Sequence, residues 1–219
     1  MFFLDGCQVF QASFSLEQKG LTMDMIEECG KNFSNLLNVM YIFTISKNRK
    51  SEKIIVDFKE EDFFHLAGFQ HLDDIEIPQN RKTTLKLITK KIITDEHLKK
   101  SKKFTNANKK ELDIASRISE LRYLEQYLDT NNMIRIFDMS SSKEASNMEA
   151  DYFIESKFTK RTVYIFIKKR KETLDTYCLN SFFVKTKTYY GINVYWMLKE
   201  KVINGVSAIL YKNKSYEPK

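Results

Sequence analysis

The sequence predicts an α+β domain in which helices pack on one face of an antiparallel sheet. Three observations carry this. Over residues 16–38 and 110–128, apolar residues recur at three- and four-residue steps, the period of an amphipathic helix. Residues 41–58, and the chain from 133 onward, are instead rich in β-branched and aromatic residues broken by polar turns. With two prolines and six glycines in 219 residues, no linker-like stretch divides the chain.

Taken in order, Leu21, Met25, Ile26, Cys29, Phe33, Leu36 and Leu37 form one apolar stripe and predict a first helix. YIFTIS (41–46) and KIIVDF (53–58) predict a hairpin across the polar loop between them. Residues 60–66 predict a short helix that starts near Asp57 or Lys59. After Pro78, residues to about 100 read as one basic amphipathic helix. Residues 110–128 read as a stronger helix, with Ile114, Ile118, Leu121, Leu124 and Leu128 on one face and Asn131-Asn132 ending it. Strand character returns at 133–137, residues 140–150 are a polar loop, and 151–156, 162–168, 177–185 and 207–211 are strands. TVYIFIK (162–168) has the composition of a central strand, and a charged KRKET turn follows it. One domain over 1–219 accounts for the pattern: a helical extension (1–40), the hairpin and the segment after it (41–78), helices (79–130) and a basic β-rich part (131–219).

Composition narrows the class. A hydrophobic content of 42% with 13% aromatics is that of a globular chain. No apolar run approaches the ~20 residues needed to cross a bilayer, so no membrane partner is expected. The start, MFFLDGCQVF, has no basic residues ahead of its apolar stretch and does not read as a signal peptide. Cys7, Cys29 and Cys178 are odd in number and widely spaced, which argues against disulfides or structural zinc and for a reducing cytoplasm.

Charge is unevenly spread. Residues 151–219 hold 14 Lys/Arg against 6 Asp/Glu, while the first 150 hold 22 against 23. Residues 81–110 add a second basic run, with eleven Lys/Arg against Asp95 and Glu96. Such asymmetry is the footprint expected of a surface that meets phosphate or an anionic membrane. The competing reading is a solvated lysine-rich face.

Nucleotide-binding glycine loops, the G-x-S-x-G elbow, H-E-x-x-H and Cys/His metal spacings are all missing from the sequence. The acidic clusters Glu60-Glu61-Asp62 and Asp73-Asp74 read as solvated charge and helix capping, and neither a metal nor a cofactor is expected. Of three histidines, His65 is the best placed. It follows a strand, two acidic residues and an aromatic pair, and it precedes Gly68, so packing on one side leaves the other open to substrate. The alternative is a helix histidine bonded to a nearby carbonyl. His71 and His97 lie in more polar, lysine-rich surroundings.

A histidine, basic strands and hydroxyls among aromatics (Thr159-Lys160-Arg161, Ser181-Phe182-Phe183, Thr188-Tyr189-Tyr190) are the parts needed to cleave RNA without metal. A base takes the 2′-hydroxyl proton, the oxygen attacks the adjacent phosphate, a cation stabilises the transition state and an acid protonates the 5′-oxygen. Aromatic rings can stack unpaired bases, though each single ring reads first as part of a packed β core.

FKEEDFFHLAGF (58–69) resembles the strand-end F-x-x-x-x-F-x-H-L-x-G motif of phage- and mobile-element-associated nucleases of the Barnase–EndoU–Colicin–RelE-like superfamily. Further elements follow in the same order: Ile-x-x-Arg-Ile from Ile114 to Ile118, ADYFIES (150–156), VYIFIKK (163–169), Ser-Phe-Phe at 181–183 and then Tyr190. The resemblance implies a roughly four-stranded sheet after a helical N-terminal part, and RNA cleavage without metal. It also implies His65, Ser181 and Tyr190 as catalytic residues, with Arg117 and Lys168 as phosphate ligands. Arg161 and Lys185 join these as substrate-binding residues on the basic strands. The expected function is a cytoplasmic endoribonuclease, a toxin or conflict effector whose partners are RNA and an antitoxin or immunity protein. The alternative is a non-catalytic nucleic-acid-binding or antitoxin-binding protein of the same fold.

Overall fold

The computed structural model describes residues 24–78, 80–105, 113–138, 149–171 and 175–217. Helix α1 (Met25–Leu36) buries Ile26, Cys29, Phe33 and Leu36, the stripe read from the sequence. Residues 16–23 of that expected helix lie outside the described residues, as do Cys7 and most of the expected loop at 140–150. Asp24 caps α1, accepting from Glu27 N–H at 3.3 Å. Its other oxygen accepts from Asp95 N–H at 2.8 Å, while the Asp95 carboxylate accepts from Met25 and Ile26 N–H. The starts of α1 and α4 (Asp95–Lys99) thus cap each other.

Strands β1 (Val39–Lys47) and β2 (Lys50–Val56) form the expected hairpin. Its turn is tighter than expected, with Asn48 and Arg49 both left-handed (φ 50° and 63°). Helix α2 (Glu60–Leu66) covers the residues read as a short helix. The expected single helix after Pro78 is two pieces, α3 (Arg81–Thr89) and α4, because Lys91 turns left-handed at φ 60°. The expected 110–128 helix is likewise split, into α5 (Ile114–Leu121) and α6 (Leu124–Asp129).

The remaining strands are β3 (Met133–Phe137), β4 (Tyr152–Lys157), β5 (Thr162–Lys169), β6 (Tyr177–Val184), β7 (Gly191–Asn193), β8 (Tyr195–Ile203) and β9 (Val206–Lys212). Among the described residues they make, together with β1 and β2, one nine-stranded sheet in the order β7-β3-β4-β5-β6-β2-β1-β8-β9. This overturns the expected α+β arrangement of helices on one face of an antiparallel, roughly four-stranded sheet. The sheet is mixed and curled into a half-barrel.

The physical reason is twofold. β2 runs parallel to β6 and meets it at Val56 and Tyr177, which fuses the hairpin to the β3–β6 meander. β8 and β9 then extend the sheet along β1.

The larger core joins apolar residues of the helices to those of the sheet. A second, aromatic core of Phe137, Phe153, Tyr164, Phe166 and Tyr189 holds edge-to-face ring contacts at 5.0–6.1 Å. Among the described residues, no helix is long and apolar enough to cross a membrane.

Candidate active site

The site forms where the chain leaves β2. Beyond the contact of Val56 with Tyr177, α2 and α5 lie against the rest of β6. The Lys59 N–H donates to the Asp62 carboxylate at 2.8 Å, which starts α2. Phe63, Phe64 and Leu66 are buried, so His65 is the member of the FFHL run that faces out, and it is half-buried. The Phe64 ring stands edge-on to the imidazole, with centroids 5.9 Å apart.

Gly68 then ends the helix in the left-handed region at φ +82°. A Cβ there would lie 2.7 Å from Ile114 Cδ1 and 2.8 Å from Arg117 Nη1, so only glycine lets the turn sit directly on the arginine. Arg117 is 2% exposed, and its guanidinium carbon lies 4.5 Å from the centre of the Phe183 ring. Burial lowers its pKa to about 10, with Tyr189 acting in the opposite sense. The arginine read as a phosphate ligand on a helix surface is therefore a buried charge joining the Gly68 turn to β6.

The imidazole pKa of His65 is lowered, first by burial, then by the charges of Arg81 and His71. That of His71 is lowered by burial, then by Arg117 and Lys103, with Asp73 opposing. The two histidines and two arginines thus share one positive field, in which the neutral imidazole is favoured.

Ser181 and Tyr190 sit differently. Ser181 lies opposite Phe166 across the β5–β6 ladder, so it shares the face of the aromatic core with Phe183, roughly 7 Å further along the strand. Tyr190 is 61% exposed, whereas its neighbour Tyr189 is buried in that core and senses Arg117. The other three cations read as substrate-binding each meet a carboxylate. Arg161 Nε is 3.7 Å from Glu120, Lys168 pairs with Glu149, and Lys185 Nζ is 2.6 Å from Glu155 and 5.5 Å from the Tyr164 ring centre.

Three residues escaped the sequence reading. His71 was set aside for its polar surroundings, although it stands six residues from His65 in the same HLAGFQH element. Tyr189 was passed over for Tyr190. Arg81 begins α3, where a cation opposes the helix dipole. Its guanidinium carbon lies 6.0 Å from the centre of the Phe64 ring, on which His65 also rests.

The acidic clusters have protein partners. Asp62 binds Arg170, Glu60 meets Lys86 at 3.3 Å, Asp73 pairs with Lys103, and Asp74 accepts from Ser101 at 2.5 Å and from Lys102 N–H at 2.8 Å. Among the described residues, no three His, Cys, Asp or Glu side chains gather as a metal-holding group. Cys29 and Cys178 are free thiols, and burial raises both, Cys178 to about 11.

A histidine-bearing turn seated on a buried arginine, against a strand with an aromatic face, is an arrangement suited to proton transfer beside a bound anion. No curated protein and no solved structure matches the chain. The family model of phage-Barnase-EndoU-ColicinE5/D-RelE like nuclease 4 spans residues 25–217, and the chain belongs to that nuclease family.

Proposed function

We propose that the protein is an endoribonuclease that cleaves RNA without a metal ion, by attack of the 2′-hydroxyl on the adjacent phosphate. One observation carries the reading: His65 is half-buried, its imidazole pKa is lowered by burial and then by the charges of Arg81 and His71, and the Gly68 turn that follows it sits directly on Arg117. A neutral imidazole at physiological pH accepts the 2′-hydroxyl proton. The exposed Arg81 supplies a donor for the phosphate, and Arg117 supplies fixed positive potential from beneath it. Ser181 and Tyr190 contribute hydroxyls on and beside the aromatic face of β6, and Arg161, Lys168 and Lys185 extend the cationic track along the sheet. As a toxin or conflict effector of a phage or mobile element, the enzyme would be restrained by an antitoxin or immunity protein.

The test is cleavage of total RNA by purified wild-type and His65→Ala protein in EDTA. The expected result is cleavage by the wild type, 2′,3′-cyclic phosphate ends, and a fall of ~10²–10⁴-fold in the variant with its melting temperature kept. Activity that vanishes in EDTA and returns with Mg²⁺ would overturn the metal-free reading. Binding without cleavage would leave a nucleic-acid-binding protein of the same fold.

A further inference from the structure

We propose that His71 is the second proton-handling residue of this site, protonating the leaving 5′-oxygen while His65 takes the proton from the 2′-hydroxyl. The proposal rests on the RNA-cleaving reading above and adds the acid that such a reaction needs.

The two histidines belong to one hydrogen-bonded turn. The His65 carbonyl accepts from Gly68 N–H at 3.1 Å, and the Gly68 carbonyl accepts from His71 N–H at 3.1 Å. Gly68 therefore lies midway between them, directly over Arg117. Phe69, in the same turn, is buried with its ring centre 6.1 Å from that of Phe63 and 6.0 Å from that of Phe64, so the turn is anchored from below. Both imidazoles are half-buried, which leaves each shielded on one side and reachable on the other.

The setting of His71 differs from that of a structural histidine. His97 holds the Glu76 carbonyl at 2.9 Å, a short bond between α4 and the preceding loop. The ring of His71 meets the exposed Gln70 side chain at 3.4 Å, a long contact that fixes little. The charged groups around His71 are Arg117 from α5, Lys103 from the segment after α4, His65 from α2, and Asp73 from its own loop. His65 faces Arg81 from α3 and His71. His65 is the base of the reading above, which leaves His71, the other imidazole of the turn, as the acid; burial and the cations lower its pKa, and Asp73, the one carboxylate among these groups, opposes them.

The step balances. The 2′-hydroxyl proton passes to His65 as the new O2′–P bond forms, the P–O5′ bond breaks, and the proton of His71 goes to O5′. The products are a 2′,3′-cyclic phosphate and a 5′-hydroxyl, and the two imidazoles have exchanged protonation states.

The experiment compares a short oligoribonucleotide with uridine 3′-(4-nitrophenyl phosphate), whose nitrophenolate leaves without a proton. His71→Gln should lose ~10²-fold or more on the oligonucleotide and stay within a few-fold of wild type on the aryl ester. His65→Gln should fall on both. Full oligonucleotide activity in His71→Gln, or equal losses on both substrates, would overturn the proposal while leaving the ribonuclease reading intact. A folded wild-type protein inactive on both substrates would sink the two together. Should His71→Gln fail to fold, imidazole titration of the wild type by NMR decides: the proposal requires each ring's titration to shift with the other's, and independent titrations overturn it.

Discussion

Arg170, one residue past β5, donates to both carboxylate oxygens of Asp62, at 2.5 and 3.1 Å, and both residues are buried. The same guanidinium holds the Asp57 carboxylate at 2.5 Å and the Asp57 carbonyl at 3.2 Å. Burial pulls the guanidinium pKa down, but the bonds to Asp62 and Asp57 outweigh it and hold the group above its ordinary value. An arginine from the meander therefore fixes the first turn of the helix that carries His65.

Removing this arginine should be costly. Arg170→Met leaves Asp62 buried without its counter-charge, a change that typically destabilises by about 3–5 kcal/mol. Urea denaturation at pH 7 measures it. A loss under about 1 kcal/mol would mean that the carboxylates find other partners and that the arginine does not set the helix.

Gly68 and Gly205 test what a left-handed glycine is for. Both have positive φ, +82° and +81°, but a Cβ at Gly205 meets nothing within 4 Å. Gly205→Ala should therefore cost only the backbone term of about 1–2 kcal/mol. Gly68→Ala adds a collision with Ile114 and Arg117, for a total of roughly 2–5 kcal/mol. Thermal or urea melts of the two variants compare them directly. Equal losses would show that Arg117 moves aside freely.

Lys199 makes stability depend on alkaline pH. It is 2% exposed, donates to the Thr130 carbonyl at 2.8 Å and lies 5.3 Å from the Trp196 ring centre. Burial lowers its pKa from the ordinary 10.5 to about 8, against the opposing pull of Asp129. Between those values the unfolded chain binds more protons than the folded one, so this residue's contribution to stability rises with pH. Across the whole window the effect is on the order of 3 kcal/mol. Denaturation of wild type and Lys199→Met at pH 7.5, 8.5 and 9.5 isolates it, because the raised tyrosines and cysteines cancel in the difference. The difference should move toward the wild type as pH rises. A flat difference would mean that Lys199 stays fully charged when folded.

Local signals were legible and long-range ones were not. The helix at 60–66 announced itself through an acidic first turn and an aromatic pair, and His65 and Gly68 came with it. β8 was missed because its alternation is inverted: Lys199 and Lys201 point inward, where Lys201 pairs with Glu125 and Asp129 at 2.7 Å. The turn after β8 was readable, since Asn204-Gly205 between apolar residues is a strong hairpin signal, and both adopt positive φ. The breaks at Lys91 and after Leu121 follow from tertiary packing, as when Arg122 reaches Glu28 at 2.9 Å. Arg170 meets Asp62 across 108 residues and Arg117 meets Phe183 from another element, pairings that no local pattern encodes.

The basic sheet and the basic helix remain rival surfaces for nucleic acid, and salt dependence separates them. Lys168 and Lys169 end β5, with Lys168 paired to Glu149 and Lys169 exposed. Lys90 and Lys91 follow α3, with Lys91 3.2 Å from Glu27 and Lys90 exposed. Each pair thus holds one engaged and one solvated lysine, which makes the comparison even. Each phosphate neutralised on single-stranded RNA contributes about −0.7 to the slope of log affinity against log salt. Reversing both lysines on β5 to glutamate should flatten that slope by about one or more and weaken all sequences alike, while reversal on α3 should change it by less than half as much. Circular dichroism of each variant guards against unfolding, chiefly at Lys91, whose reversal sets a second carboxylate beside Glu27. Equal slopes from the two pairs would mean a diffuse cationic surface and favour binding without catalysis. A larger effect from α3 would move the RNA to the helical side, where Arg81 stands beside His65, and would leave the cations of the sheet to their carboxylates.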